Sequence, residues 1–212
     1  EVVPKHPSGE YDGKKLSMRS GYFIKTLSEM LPENRIIFDE ALTNSPPVNK
    51  YLPGRAPGER MLTRGGSLGT GFPGAIGAKI AYPDRCVVGF SGDGGSMYTI
   101  QCLWTAARHN VAAKFVVCQN RSYKLLQANI SKFWQERGIE GREFPLPFDL
   151  SKPEICFNEI AHSFGVSGEQ VVSPDQVKDA IERMLTHDGP YLVNLVLDGA
   201  IRPDLIGVHC GQ

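Results

Sequence analysis

Two residues in this sequence have the types and surroundings needed to hold a charged ligand. Asp93 is set in Gly92-Asp93-Gly94-Gly95, and Asn120 follows 27 positions later in Gln119-Asn120-Arg121-Ser122. A carboxylate and an amide offer hard oxygens and no soft ligand. That donor set suits magnesium, an ion usually held by one or two protein groups and completed by phosphate oxygens. The glycines around Asp93 leave backbone N–H groups open to a ligand, and a helix beginning near Ser96 aims its positive end at the same place. The donor types and the glycine turn together therefore predict Mg²⁺ bridging a diphosphate.

The elements that must position these residues are short and apolar. Arg85 to Phe90 reads as a strand, followed by the glycine turn and by a helix carrying Met97, Ile100, Trp104 and Ala107 at helical spacing. Lys114 to Cys118 is a second apolar run, so Asp93 and Asn120 both fall at carboxyl ends of strands, the ligand edge of an open parallel sheet. Upstream, Phe23, Ile24, Leu27, Met30 and Leu31 form one helical stripe within residues 17–31, stopped by Pro32. Ile36-Ile37-Phe38 is a buried strand that runs into a loop, Asp39 to Asn44, at the same edge as Asp93. Met61-Leu62-Thr63 is a further short strand.

Downstream, Ser151-Lys152-Pro153-Glu154 and Ser173-Pro174-Asp175-Gln176 read as capping boxes, each opening an amphipathic helix. Val171-Val172 and Tyr191 to Leu197 read as strands. Alternation of strands and helices predicts an α/β fold with a mainly parallel sheet and helices on both faces.

The GDG turn followed at this distance by Asn resembles the diphosphate-binding signature of thiamine diphosphate enzymes, in particular the 2-oxo acid decarboxylase and acetolactate synthase group. Residues 35–198 resemble the C-terminal, diphosphate-binding domain of benzoylformate decarboxylase-like members. Asp39 to Asn44, Gly65 to Gly69 and Leu103 to Ala107 fall in family order. The resemblance implies thiamine diphosphate and Mg²⁺ as cofactors, with Asp93, the Asn120 side chain and the Ser122 carbonyl as metal ligands. It implies that Thr43, Asn44, Gly92, Gly94, Gly95, Ser96 and Tyr123 surround the diphosphate. Gly66 and Leu68 then hold the aminopyrimidine, Leu68 as the apolar wedge beneath a bent cofactor, and Leu125, Leu126 and Asn129 border a substrate pocket. Two positions depart from the family pattern: Gln119, where an asparagine is usual, and Leu42, where relatives often carry a hydroxyl. The substrate class implied is a small 2-oxo acid or aldehyde. The resemblance further implies an activating glutamate on a pyrimidine-binding domain of the same or a partner subunit, in a homodimer or homotetramer.

Other readings compete with this one. Gly69, Gly71 and Gly74 match the dinucleotide fingerprint G-x-G-x-x-G, with Asp93 about 20 residues on in the place of a ribose-binding acid; an NAD-binding oxidoreductase domain is the alternative, and a non-catalytic interaction module a third. Thr43 and Asn44 also suit a simple helix cap. Against the dinucleotide reading, Asp93 sits inside its own glycine cradle, and the fingerprint leaves Asn120 unexplained.

Composition narrows the class. A chain of 212 residues with 41% hydrophobic content is long enough for one large core, and 23 basic residues balance 23 acidic ones. That balance leaves no electrostatic footprint for nucleic acid or an anionic membrane. No apolar run approaches the roughly 20 residues of a spanning helix. Cys86, Cys102, Cys118, Cys156 and Cys210 are odd in number, form no CxxC pair and read as buried thiols in a reducing cytoplasm. Residues 1–16 read as a linker tail and 17–212 as the binding domain, part of a longer chain. Residues 138–148 form a glycine- and proline-bearing loop of the length often found in lids. His162 and His187 lack partners at metal spacing and read as structural.

Overall fold

Strands that are apolar along their whole length belong in a parallel sheet covered on both faces, and the chain folds that way. The structure, a computed structural model, describes residues 10–11, 14–15, 18–63 and 66–199. Within the expected linker tail, β1 (Glu10–Tyr11) pairs antiparallel with β2 (Lys14–Lys15); the rest of the tail lies outside the described residues, as do Arg64, Gly65 and Cys210. The main chain then runs α1 (Ser20–Met30), β3 (Arg35–Glu40), α2 (Ser45–Tyr51), β4 (Arg60–Leu62), α3 (Gly71–Ala81) and β5 (Cys86–Gly92). It continues through α4 (Asp93–Ser96), α5 (Cys102–Arg108), β6 (Lys114–Gln119), α6 (Lys124–Glu136), α7 (Phe157–Ser163), β7 (Ser167–Val171), α8 (Val177–Thr186) and β8 (Tyr191–Val196).

Strands β3 to β8 form a six-stranded sheet in the order β4-β3-β5-β6-β8-β7, and every pairing within it is parallel. Alternate residues of each strand feed opposite cores. On one face Ile37, Val88, Val116 and Val193 pack with Phe23, Ile24 and Leu27 of α1, Val48 of α2 and Ile181 of α8. On the other, Ile36, Val87, Phe115 and Leu192 pack with Phe72 and Ala75 of α3, Leu103 of α5 and Phe157 of α7. From β3 the chain moves outward to β4, then returns on the far side of β3 to make β5. Strand order therefore reverses between β3 and β5, and the carboxyl ends at such a reversal are where open α/β sheets take ligands.

Several local expectations are corrected. Strand β3 reaches Glu40, so Asp39 and Glu40 close the strand rather than lying in the following loop. The helix expected from Ser96 is broken into α4 and α5 by turns over residues 97–101. Its buried face is Ile100, Leu103 and Ala106, while Met97 and Trp104 are exposed; the spacing had the right period and the wrong phase. Ser151 opens no helix, because α7 starts at Phe157. The second capping box does form, with the Ser173 and Gln176 side chains each accepting from the other's backbone N–H. Among the described cysteines only Cys118 is buried; Cys86 and Cys102 are half-buried and Cys156 is exposed. His162 Nε2 pairs with the Gly168 carbonyl at 2.9 Å, and His187 Nδ1 accepts from Gly189 N at 3.0 Å, as structural histidines do. No helix among the described residues is long and apolar enough to cross a membrane.

Candidate functional site

Strand β5 ends at Gly92 and helix α4 begins at once, so Asp93 stands at the first helical position and not in a loop before Ser96. Its carboxylate is only 3% exposed. Oδ1 accepts from Gly94 N at 2.9 Å and Oδ2 from Arg121 N at 2.5 Å. Arg121 reaches that position through a left-handed backbone, φ +60°, a conformation uncommon for a residue with a side chain. No lysine or arginine among the described residues forms an ion pair with Asp93. Burial pushes its pKa up to about 6, against the pull of the surrounding Gly94, Arg121, Ser122 and Asn120 N–H groups. A buried carboxylate held by N–H donors, with no ion-pair partner among the described residues, is in the state that a bound cation would relieve.

Beside it, strand β6 ends at Gln119 and the chain turns through Asn120. The Asn120 Oδ1 accepts from Ser122 N at 3.1 Å, which folds the turn on itself. The Ser122 carbonyl accepts from Lys124 N at 2.8 Å and keeps a second lone pair. The Ser122 hydroxyl is buried without a partner among the described residues. These groups form no cluster of three or more His, Cys, Asp or Glu among the described residues. One carboxylate, one amide and one carbonyl instead form the sparse, hard-oxygen set that leaves places for phosphate oxygens. The donors fit magnesium.

The turn itself is shaped by close approaches. The Tyr123 ring lies against Gly94 so tightly that any Cβ there would strike it. At Gly92, by contrast, a Cβ would meet nothing within 4 Å. The Ser96 hydroxyl turns inward and donates to the Gly92 carbonyl at 2.6 Å, so the donor Ser96 has left for an anion is its N–H.

Thr43 and Asn44 belong to a 3₁₀ turn, Leu42–Asn44, that packs against the end of β5 and against α6. Both are half-buried; Asn44 stands at the N-cap position of α2, as the helix-cap alternative has it, but neither side chain makes a capping hydrogen bond there. Leu42, the departure from the family pattern, takes φ +52°. Gln119, the other departure, points away from the Asp93 turn. Its amide donates to Glu154 Oε1 at 3.0 Å and to the Ile155 carbonyl at 2.9 Å, and its oxygen accepts from Asn194 Nδ2 at 2.8 Å. It braces the residues between β6 and α7, which is why the spurious capping box at Ser151 has its glutamate engaged elsewhere.

Gly66 has φ +68°, and Leu68 is half-buried, in the segment that leads to Gly69 and α3. Leu125 is half-buried, and Leu126 and Asn129 are exposed, all on α6. The loop after α6 is pinned back onto the site: Tyr123 N donates to the Phe148 carbonyl at 3.0 Å and Leu150 N to the Arg121 carbonyl at 2.9 Å. Trp134 stacks on Phe144 with ring centroids 5.7 Å apart.

Sequence reasoning missed two features. Lys124, in the first turn of α6, is buried and held below the ordinary lysine range by that burial, while the charges of Asp93 and Asp198 work in the opposite direction. Nothing in its neighbours' pattern announces it. The second is Glu40, whose carboxylate accepts from Gly69 N at 2.6 Å and from Gly71 N. These are the N–H groups that a dinucleotide phosphate would need, and a buried acid already occupies them. Gly71 is glycine because a Cβ would come within 2.6 Å of the Phe90 carbonyl, and Gly74 because the Phe38 ring fills its place. The fingerprint spacing is a packing requirement here.

Comparison with known proteins shows the family to which this fold belongs. Residues 46–195 match the family described as "Thiamine pyrophosphate enzyme, C-terminal TPP binding domain". The chain is 28% identical to benzoylformate decarboxylase of Pseudomonas aeruginosa over 92% of its own length and 35% of that protein's. It is 29% identical to the acetolactate synthase isozyme 2 large subunit of Escherichia coli over 90% of its length and 34% of that subunit's. Among solved structures, thiamine diphosphate-dependent 4-hydroxybenzoylformate decarboxylase of Rhodococcus jostii superposes with a TM-score of 0.76 at 26% identity, covering 93% of this chain and 36% of the other. The chain thus spans about a third of the length of these relatives. With the match running from α2 into β8 and taking in both Asp93 and Asn120, the chain belongs to the C-terminal TPP-binding domain family of thiamine pyrophosphate enzymes.

Proposed function

We propose that this domain binds the diphosphate of thiamine diphosphate through Mg²⁺, within an enzyme that decarboxylates a 2-oxo acid or joins it to a second carbonyl compound. The observation that carries the reading is Asp93: a buried carboxylate without an ion-pair partner among the described residues, at the β3/β5 reversal and beside the Asn120 turn. Asp93, the Asn120 amide oxygen and the Ser122 carbonyl would hold the metal. Thr43, Asn44 and the turn from Gly92 to Ser96 would surround the diphosphate, with Tyr123 closing the side over Gly94. Gly66 and Leu68 would meet the pyrimidine end, and Leu125, Leu126 and Asn129 would border the substrate. When bound, thiamine diphosphate supplies an electron sink for breaking the bond beside a ketone carbonyl. The chain's own part is to anchor, to orient and to exclude water. In this reading the domain acts in the cytoplasm, in a homodimer or homotetramer, opposite a pyrimidine-binding domain of the same or a partner subunit.

Calorimetric titration of the purified chain with thiamine diphosphate, with and without Mg²⁺, tests the proposal, and NAD serves as the control ligand. Binding should require Mg²⁺, and NAD should give no heat. Asp93→Ala deletes a charged ligand from a site that must still face the negative diphosphate. Groups that merely support a metal ligand are worth about 10- to 100-fold in affinity, so the loss here should exceed that range. Tight, Mg²⁺-dependent binding by Asp93→Ala would sink the assignment.

A further inference from the structure

Glu40 does more than its place at the end of β3 requires. It is 1% exposed, and no basic residue among those described pairs with it. A carboxylate so placed is costly unless strong hydrogen bonds replace its water. Oε2 accepts from Gly71 N and, at 3.5 Å, from the Thr70 hydroxyl. Thr70 is the N-cap of α3 and Gly71 its first residue, so these bonds serve the helix end, where an anion is favoured. The other oxygen, Oε1, accepts from Gly69 N at 2.6 Å. Gly69 lies before the helix, and capping α3 gives no reason to hold it.

The same residue is held from its other side. Its carbonyl accepts from the Thr99 hydroxyl at 2.7 Å, and Thr99 lies in the turn that continues directly from the Asp93 helix, α4. Gly69 itself takes φ +83°. Its two polar groups are thus fixed, one by the end of β3 and one by the chain leaving the diphosphate-side turn. The Glu40 carboxylate also abuts that turn: a Cβ on Gly95 would come within 3.1 Å of Oε1.

We propose that Glu40 and Thr99 are positioning residues that clamp Gly69 and so set the Gly66–Leu68 segment relative to the Asp93 turn. The clamp rests on the reading given above. It predicts that the pair governs affinity for the part of the ligand beyond the diphosphate while leaving the diphosphate's own anchorage intact.

The test uses two ligands, thiamine diphosphate and inorganic diphosphate, each titrated with Mg²⁺ into the purified chain and into Glu40→Gln and Thr99→Val. Hydrogen exchange at the Gly69 amide is followed without ligand. Both variants should weaken thiamine diphosphate binding by about tenfold, the size typical of lost positioning contacts. They should leave inorganic diphosphate binding unchanged, and Glu40→Gln should speed exchange at Gly69. Equal losses for both ligands, or no loss for either, overturn the clamp. A wild-type chain that binds both ligands alike overturns the pyrimidine-side reading of Gly66 and Leu68, and the clamp with it. If Glu40→Gln fails to fold, Thr99→Val, which alters a half-buried turn residue, decides the matter alone.

Discussion

At Gly94 the side chain of a neighbour dictates the residue. The Tyr123 ring occupies the space a Cβ would need, and the N–H of Gly94 is committed to Asp93 Oδ1, so neither the ring nor the backbone can move away freely. Overpacking of this kind costs about 1–3 kcal/mol. Gly94→Ala should therefore lower stability by that amount in urea denaturation. Removing the obstacle as well, in the double variant Gly94→Ala with Tyr123→Ala, should recover most of the loss. Additive losses in the double variant would mean that Gly94 is required by its backbone and not by the ring. At this scale the sequence is informative about chemistry and silent about conformation. Asp93 and Asn120 stand out by type and spacing, whereas Arg121 and Leu42 adopt left-handed backbone without the glycine or asparagine that would have signalled it.

Among the elements, the far side of the sheet is tied by one polar group that spans three of them. Glu169 on β7 accepts from Arg183 of α8 at 2.9 and 2.6 Å and from the Tyr191 hydroxyl of β8 at 2.7 Å. Burial pushes the Glu169 carboxyl up, but the bonds from Arg183 and Tyr191 outweigh it and hold the group below its ordinary 4.5. A carboxyl held lower in the folded chain than in the unfolded one adds stability above the ordinary value. That stability is lost as the pH falls through the folded value. Glu169→Gln should thus destabilise the chain at about pH 7 by no more than about 1 kcal/mol, because half-exposed Arg183 is screened by water. The gap between wild type and variant should close as the pH drops below about 4.5, which thermal melts across that range would show.

The same scale explains what the sequence conveys and what it hides. Buried parallel strands such as β6 and β8 are continuous apolar runs, readable because both faces are covered. Helix α4 was misplaced because it starts inside the glycine turn, where propensity argues against a helix and the demands of the site prevail. Ser151-x-x-Glu154 imitates a capping box, but its glutamate is drawn to Gln119, a partner 35 positions away in sequence. Gly69, Gly71 and Gly74, at the start of α3, copy a phosphate-binding fingerprint because close packing and phosphate binding both call for absent side chains.

For the molecule as a whole, the decisive quantity is which carboxylates remain free at the ligand edge. Among the described residues the buried acids are Asp39, Glu40 and Asp93. Asp39 is held by Arg60 at 2.6 Å and by the Ser45 hydroxyl at 2.8 Å, Glu40 by Gly69 and Gly71, and Asp93 by the turn that would take the metal. None is left to exchange a proton with the far end of a bound cofactor. In the proposed reading that task falls to a glutamate on a pyrimidine-binding domain, and the relatives' chains are about three times as long as the part this chain matches. Loss of a general acid–base group typically costs about 10² to 10⁴ in rate, and an isolated domain also leaves the cofactor open to water on its uncovered side. The purified chain should therefore bind thiamine diphosphate and Mg²⁺ yet show no appreciable turnover. Incubation with both cofactors and pyruvate or benzoylformate, following carbon dioxide release, makes the comparison against a full-length relative. Turnover near that of the relative would mean that the proton-transferring group lies within these 212 residues, and Glu40 would then be the first residue to substitute.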